Sequence, residues 1–176
     1  PAGAHGLLFH PFLGGERAPL WDANARGSFF GLTPLHTRAD MLRAVMEGIC
    51  LNIATVFGAV EELVGRPQQV TATGGFAQSA VWKQMLADVL AVPVRVPETF
   101  ESGCLGAITM AMKSLGLIDS VDAVQQFIGA TDDYQPQAAQ DTYTMIKPLF
   151  EQVEREVSPS YKAVADLQAK LTTEDK

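Results

Sequence analysis

The most informative stretch of this chain is Ala72-Thr73-Gly74-Gly75-Phe76-Ala77-Gln78-Ser79. It follows a short β-branched run, breaks at two glycines and leads into residues with helical spacing. Two consecutive glycines let the backbone turn sharply and let a flat ligand lie against the main chain. The helix that follows directs free N–H groups at the turn, which favours a nucleotide as ligand. A plain strand-to-helix turn without a ligand is the competing interpretation.

Outward from this turn, strands and helices are predicted to alternate. Thr37 and Asp40 predict a capping-box start for a long helix, which Gly65 and Pro67 end. Predicted strands cover residues 7–13, 28–32, 69–73 and 94–97. Further helices are predicted at 79–92, 102–115, 121–128 and 141–157, with an exposed loop at 132–140 and a frayed end at 172–176. This order predicts an α/β domain with a mixed sheet flanked by helices. The glycine turn follows its strand at the carboxyl end, where ligands of open α/β sheets bind.

Composition narrows the function classes. The 176 residues, 47% hydrophobic and 19% charged, suffice for one domain with a real core. The net charge of −7, without a basic cluster, argues against nucleic acid as a partner. No uninterrupted apolar run reaches the roughly 18 residues of a membrane span, so no membrane is expected. The chain starts at Pro1 without a secretory signal pattern, which predicts a cytoplasmic protein and suggests a fragment.

Cysteine and histidine usage predicts no metal site. Cys50 and Cys104 lie in apolar contexts far apart in the sequence and are predicted to be buried, reduced thiols. His5, His10 and His36 lack the spacing of helical metal ligands, and no catalytic triad is indicated.

Several motifs occur together in a fixed order. They are Phe-His-Pro-Phe-Leu-Gly-Gly-Glu-Arg-Ala-Pro at 9–19, Arg-Gly-Ser-Phe-Phe-Gly-Leu-Thr at 26–33, Arg-Ala-Val-Met-Glu-Gly at 43–48, the glycine turn at 74–79 with Trp82, Gln84, Ala87 and Asp88, and Leu-Gly-Ala at 105–107. This set resembles the FGGY family of carbohydrate kinases, most clearly from Phe9 to about Leu117. Within the family, the wording of the first motif and of the glycine turn is most similar to that of the gluconate kinases.

The resemblance implies more than the residues do alone. It implies that residues 1–176 are the C-terminal actin-like domain, of ribonuclease H type, in a two-domain kinase that binds Mg-ATP and a sugar or sugar acid in the cleft between its domains. The phosphate loops and the general base belong to the N-terminal domain in this family. We therefore expect no catalytic residue and no metal ligand in this chain, inactivity of the chain alone, and the absent domain as a partner. A homodimer is left open.

The resemblance also assigns an adenosine site. Gly74 and Gly75 would lie along the adenine or ribose, Ala77 would leave room for the base, and Ser79 would stand near the adenine edge. A helix N-cap is the competing role for Ser79, and both roles are compatible.

Other polar and aromatic residues carry competing interpretations. Glu47 is either a solvated helix carboxylate or a fixed partner of Arg43, one turn away. Glu16 and Arg17 are expected to form a salt bridge that orders the loop at 14–27, rather than to bind sugar. Trp21 and Asp22 are expected to pack and cap that loop, Trp82 to be core, and Asp88 to lie on the helix surface or cap the next turn.

Two function classes follow. The first is the ATP-side lobe of a kinase for a sugar or sugar acid, expected to be D-gluconate, with xylulose or another FGGY sugar as the alternative. The second is a non-catalytic actin-like module for nucleotide binding or protein association.

Overall fold

The computed structural model describes residues 1–98 and 102–174 of the chain. They divide into a first unit, Pro1–Arg66 with Ala138–Lys176, and a second unit, Pro67–Gln137. The expected fraying at 172–176 falls partly outside the described residues, and helix is present as far as Glu174.

The first unit is built around a long helix. Strands β1 (Leu8–His10) and β2 (Ser28–Phe30) pair antiparallel. Helix α1 (Arg38–Val64) packs against β1 and against α4 (Ala139–Val157), and α5 (Tyr161–Glu174) follows a short 3-10 turn.

The predicted capping box of α1 is confirmed. The Thr37 hydroxyl accepts from the Asp40 backbone N–H at 3.4 Å, and the Asp40 carboxylate accepts from the Thr37 N–H at 2.8 Å. The Thr37 hydroxyl also donates to the Asp40 carboxylate at 2.7 Å. This bond and the one from the Thr37 N–H hold the pKa of Asp40 well below its usual value, with a smaller contribution from His5. At the other end, Gly65 closes the helix at φ +82°, as the sequence predicted.

The buried face of α1 is narrower than its apolar residues suggested. Ala44, Gly48, Leu51 and Ala54 are buried, whereas Ile53, Val60 and Leu63 are exposed. Within the described part of the chain, α1 is also long and apolar enough to cross a membrane by length and composition alone. The sequence analysis did not identify α1 as such a helix, because it considered only uninterrupted apolar runs. A core helix passes the same test, and α1 packs in part against β1.

The second unit contains the glycine turn and a mixed three-stranded sheet. Strands β3 (Val70–Thr71) and β4 (Val94–Pro97) are parallel, and β5 (Thr131–Tyr134) pairs antiparallel with β4. Helices α2 (Ala80–Leu90) and α3 (Ser102–Ser114) follow β3 and β4. The predicted mixed α/β arrangement with flanking helices is confirmed.

Several local predictions were wrong. Residues 132–134, expected in a loop, belong to strand β5 because their backbone pairs with β4. Across this pair the Arg95 guanidinium binds both carboxylate oxygens of Asp133, at 2.8 and 3.0 Å. The helix predicted at 121–128 is present as a 3-10 helix, Val121–Gln126. Trp82, expected in the core, is only half-buried, and the neighbouring Val81 is exposed. Cys50 is buried as expected, but Cys104 is exposed.

Candidate functional site

The backbone of the glycine turn has a shape that few residues can adopt. Gly74 has φ +120° and ψ −176°, a backbone conformation that residues with a Cβ rarely adopt. Gly75 then starts a 3-10 turn through Gln78, in which the Ala77 N–H donates to the Gly74 carbonyl at 3.0 Å. A 3-10 turn therefore separates the glycines from α2, which begins at Ala80.

Open space lies beside both glycines. Among the residues that the structure describes, a Cβ added at Gly74 or Gly75 would meet no heavy atom within 4 Å apart from its own chain neighbours. Gly75 does not have a positive φ, so its backbone does not itself require glycine. The turn thus offers main chain to a ligand with no side chain in the way, as the resemblance expects for adenosine.

Ser79 is the N-cap of α2, as one of its two interpretations predicted. Its hydroxyl accepts from the Trp82 backbone N–H at 3.3 Å, and its φ and ψ are extended. An N-cap satisfies one of the free N–H groups at a helix start. Gly74, Gly75, Ala77 and Ser79 consequently form one continuous segment at the carboxyl end of β3.

A second segment, which is not among the predicted site residues, borders the turn. The Thr73 hydroxyl lies 2.9 Å from the Ser102 hydroxyl, at the first residue of α3. Because β3 and β4 are parallel, the segments that follow them meet at the same edge of the sheet. The sequence signal was present in the Ser-Gly pair at 102–103, which resembles a second strand-to-helix turn. Thr99–Glu101 lie outside the described residues.

Helix α2 is anchored by its polar face, and Asp88 was wrongly expected at the surface. Asp88 is buried, and its Oδ1 accepts from Gln84 Nε2 at 2.9 Å and from the Gln137 N–H at 2.6 Å. Gln84 also donates to the carbonyl oxygen of Gln135 at 2.8 Å. These bonds fix α2 to the chain after β5, so they hold the helix whose start carries Ser79.

Lys83 anchors the same helix through charge. It is buried, its Nζ donates to the Asp132 carboxylate at 2.8 Å, and it stands 5.0 Å above the centre of the Tyr134 ring. The hydrogen bond to Asp132 raises the pKa of Lys83. Both partners lie on β5, the strand that the sequence did not predict.

In the first unit, Glu47 is a fixed structural carboxylate. Its Oε1 accepts from Arg43 Nε at 2.7 Å, from the Gly3 N–H at 2.8 Å and from the Tyr143 hydroxyl at 2.8 Å. The predicted Arg43 partner is confirmed, and the solvated interpretation was wrong because Glu47 is buried. Burial, with the neighbouring Glu47 charge, raises the pKa of Tyr143 above its ordinary range.

The loop at 14–27 is ordered differently from the prediction. Glu16 and Asp22 exchange two backbone hydrogen bonds of 2.9 Å, and Asp22 Oδ1 caps the Asn24 N–H at 2.8 Å. Among the ion pairs between described residues, none joins Glu16 to Arg17. The Glu16 carboxylate instead accepts from Asn52 Nδ2 at 3.4 Å. Trp21, expected to pack, is 78% exposed. Backbone pairing therefore orders this loop, with Asp22 as the predicted cap.

Metal ligands were not predicted in this chain. In the parts covered by the structure, 1–98 and 102–174, no three His, Cys, Asp or Glu side chains are grouped so that they could hold a metal ion.

Comparison with known proteins identifies the family. Residues 1–115 match the model of the C-terminal domain of the FGGY family of carbohydrate kinases. The chain belongs to the FGGY family of carbohydrate kinases. The gluconokinase of Bacillus subtilis is 46% identical over 173 residues, which cover 97% of this chain and 34% of that protein. The chain thus spans about a third of the length of the curated relatives that it matches.

Solved structures of FGGY kinases share the fold. A ligand-bound xylulose kinase from Lactobacillus acidophilus has a TM-score of 0.86 at 39% identity, with 93% of this chain and 34% of that chain covered. A gluconate kinase from the same organism has a TM-score of 0.85 at 39% identity, with the same coverage of both chains. The predicted actin-like α/β fold of the FGGY kinases is therefore confirmed. The resemblance to gluconate kinases is likewise confirmed by the curated relatives.

Proposed function

We propose that this chain is the C-terminal, ATP-side domain of a carbohydrate kinase that phosphorylates D-gluconate to 6-phosphogluconate. The assignment of gluconate as the substrate rests on the 46% and 45% identity to two gluconokinases over 97% of the chain. Residues 1–176 would form the C-terminal actin-like domain, and an N-terminal domain would supply the phosphate loops and the general base. The chain alone would be inactive, and the kinase would act in the cytoplasm.

The adenosine of ATP binds at the glycine turn in this proposal. Gly74 and Gly75 present bare main chain to the adenine and ribose, Ala77 leaves room for the base, and Ser79 fixes the start of α2 beside it. The open space beside both glycines and the position at the carboxyl end of β3 support this. ATP supplies the phosphoryl group, and Mg²⁺ enters with its phosphates. The chain's own contribution is to orient the nucleotide, since positioning dominates phosphoryl transfer.

The first experiment is a calorimetric titration of Mg-ATP into the wild type and a size series at position 75. Gly75→Ala adds one methyl group and Gly75→Val adds three carbons, at a backbone that accepts either. We expect weak saturable binding that falls stepwise with size. Overfilling a packed contact costs about 1–3 kcal/mol, so the valine variant should lose roughly five- to 150-fold in affinity.

Thermal melting of the three proteins is the control for folding. Because a Cβ at position 75 would meet no described heavy atom within 4 Å, the melting temperature of Gly75→Ala should agree closely with that of the wild type, and melting shows whether Gly75→Val is folded. Equal affinity of the wild type and the folded valine variant for Mg-ATP would refute the assignment of adenosine to this turn.

The sugar is tested on the full-length kinase. Xylulose is the second candidate, because a xylulose kinase structure matches with a TM-score of 0.86. We expect kcat/KM for gluconate to exceed that for xylulose in a coupled ADP-release assay. A higher kcat/KM for xylulose would make xylulose, rather than gluconate, the substrate. ATP binding without phosphorylation of any sugar would favour the non-catalytic nucleotide-binding module.

A further inference from the structure

Trp21 is held in the solvent by a backbone conformation that bulky residues avoid. It is 78% exposed, and its φ of +54° lies in the left-handed region. Its N–H donates to the Arg17 carbonyl at 2.5 Å, and the backbone bonds between Glu16 and Asp22 close the same turn. Strained conformations of this kind persist only where the surrounding structure enforces them, and they cluster at functional sites. The loop thus accepts strain while its largest apolar side chain remains unburied.

Helix α5 fixes the base of this loop. Ala25 is buried in one cluster with Tyr161, the first residue of α5. Further along the helix, Gln168 Oε1 accepts from Arg26 Nε at 2.7 Å. A side chain that is already held in place loses little conformational freedom when it binds a partner. Trp21 is therefore presented by a support that is ordered before any partner arrives.

The surface around Trp21 has the composition of a protein interface. This Trp21 surface lines a hollow of about 600 Å³ and comprises Gly14, Gly15, Glu16, Arg17, Trp21 and Ala23. Arg17 is exposed, and its guanidinium forms no ion pair or hydrogen bond with the residues that the structure describes. Tryptophan and arginine are the residues that most often dominate the binding energy of protein interfaces.

The exposure of this surface favours a protein over a small molecule. Small-molecule sites enclose most of the surface of their ligand. Trp21 and Arg17 are both exposed, so a small ligand that lay on them would stay largely in water. A protein domain can cover such a surface and exclude water from around the tryptophan ring.

We propose that the Trp21 surface docks onto the N-terminal domain of the same kinase, with the Trp21 ring in an apolar pocket and Arg17 on a carboxylate of that domain. The existence of this domain rests on the proposed function. The two gluconokinase relatives match 97% of this chain over only 34% of their own length. About two thirds of each relative therefore has no counterpart in this chain and is available to cover a surface that the chain leaves open. A guanidinium and a carboxylate pair through two parallel hydrogen bonds, which would fix the orientation of the docked domain.

Hydroxyl-radical footprinting with mass spectrometry tests this contact on the side chain itself. The 176-residue chain and the full-length kinase are oxidised in parallel, without ATP or sugar. We expect Trp21 to react about fivefold or more slowly in the full-length kinase, as for a ring that passes from 78% exposed into the buried core of an interface. Tyr143, which is buried within the chain, should react slowly in both proteins and shows that both are folded.

A substitution with opposite effects in the two proteins gives the second test. Glycine adopts a positive φ without strain, so Trp21→Gly should keep or raise the melting temperature of the 176-residue chain. In the full-length kinase the same change removes the docked ring and should lower the melting temperature. Asn24→Gly, at an exposed position of the same loop outside the Trp21 surface, is the control and should shift both proteins alike.

Four results would overturn the proposal. They are equal oxidation of Trp21 in both proteins, slow oxidation of Trp21 already in the chain alone, protection that appears only when gluconate or ATP is added, and protection that depends on protein concentration. The third would assign the surface to a ligand, and the fourth to a second copy of the kinase. A full-length kinase that phosphorylates gluconate with Trp21 unprotected would refute the docking surface alone. Protected Trp21 in a kinase for another sugar would refute only the proposed substrate.

Discussion

Helix α1 crosses β1 so closely that Gly48 leaves no room for a side chain. A methyl group at Gly48 would overlap the carbonyl oxygen of Phe9 and would stand 3.0 Å from its carbonyl carbon. These are main-chain atoms of β1, so no rotamer change can relieve the overlap. Gly48→Ala can be accommodated only if α1 and β1 move apart, which disturbs the packing of Ala44 and Phe9.

The expected loss is the difference between two effects. Overfilling a packed core costs about 1–3 kcal/mol and occasionally more, and a clash with backbone belongs at the upper end. Replacing a helical glycine by alanine returns about 1 kcal/mol of helix propensity. We therefore expect Gly48→Ala to lower the free energy of unfolding by roughly 2 kcal/mol or more.

Gly58 on the same helix is the matched control. A methyl group there would approach only Lys147 Nζ, at 3.3 Å, which is the movable end of a long side chain. Gly58→Ala should thus gain about 0.5–1 kcal/mol from helix propensity alone. Urea denaturation followed by circular dichroism compares both variants with the wild type. A Gly48→Ala midpoint close to that of the wild type, or a Gly58→Ala loss equal to that of Gly48→Ala, would refute this account of the α1–β1 contact.

Two further predictions concern buried polar groups of the first unit. Tyr143→Phe should lower the free energy of unfolding by about 1.5–3 kcal/mol in urea denaturation, because the Tyr143 hydroxyl donates a hydrogen bond to the charged Glu47. Tyr161→Phe should be neutral or stabilising, because the buried Tyr161 hydroxyl has no partner among the described residues. Similar losses of stability in both variants would contradict this. Burial lowers the pKa of His10, so protons bind the unfolded state more readily, and stability should fall as the pH drops below about 6.5. His10→Gln should flatten that dependence between pH 7.5 and 5.5, and an unchanged slope would count against a buried neutral imidazole.

The elements that the sequence predicted well are those with local causes. Thr37 and Asp40 stand three residues apart and form both bonds of the capping box between themselves. Strand β4 was predicted with its observed bounds, because Val94 and Val96 alternate on a short run bounded by prolines. Such signals act within one turn of helix or one strand, so they can be read without knowledge of the rest of the fold.

The errors have distant causes. Strand β5 is polar, and it lies in the sheet because its backbone pairs with β4, where Arg95, 38 residues before Asp133, binds the Asp133 carboxylate. Asp88 has the spacing of a surface residue, yet it accepts a backbone N–H from Gln137, 49 residues away. Both hydrogen bonds join residues that the pairing of β4 with β5 brings together, and no local sequence pattern predicts that pairing.

The two glycines of the turn show where sequence reasoning stops at the candidate site. The pattern treats Gly74 and Gly75 alike, but the structure separates them. Gly74 has φ +120°, so backbone geometry alone accounts for a glycine there. Gly75 has no positive φ, and a Cβ there would meet no heavy atom of the described residues within 4 Å, so neither backbone strain nor packing among those residues calls for a glycine. For this reason the size series at position 75 tests the proposed adenosine site more directly than any change at Gly74, where backbone strain would also contribute.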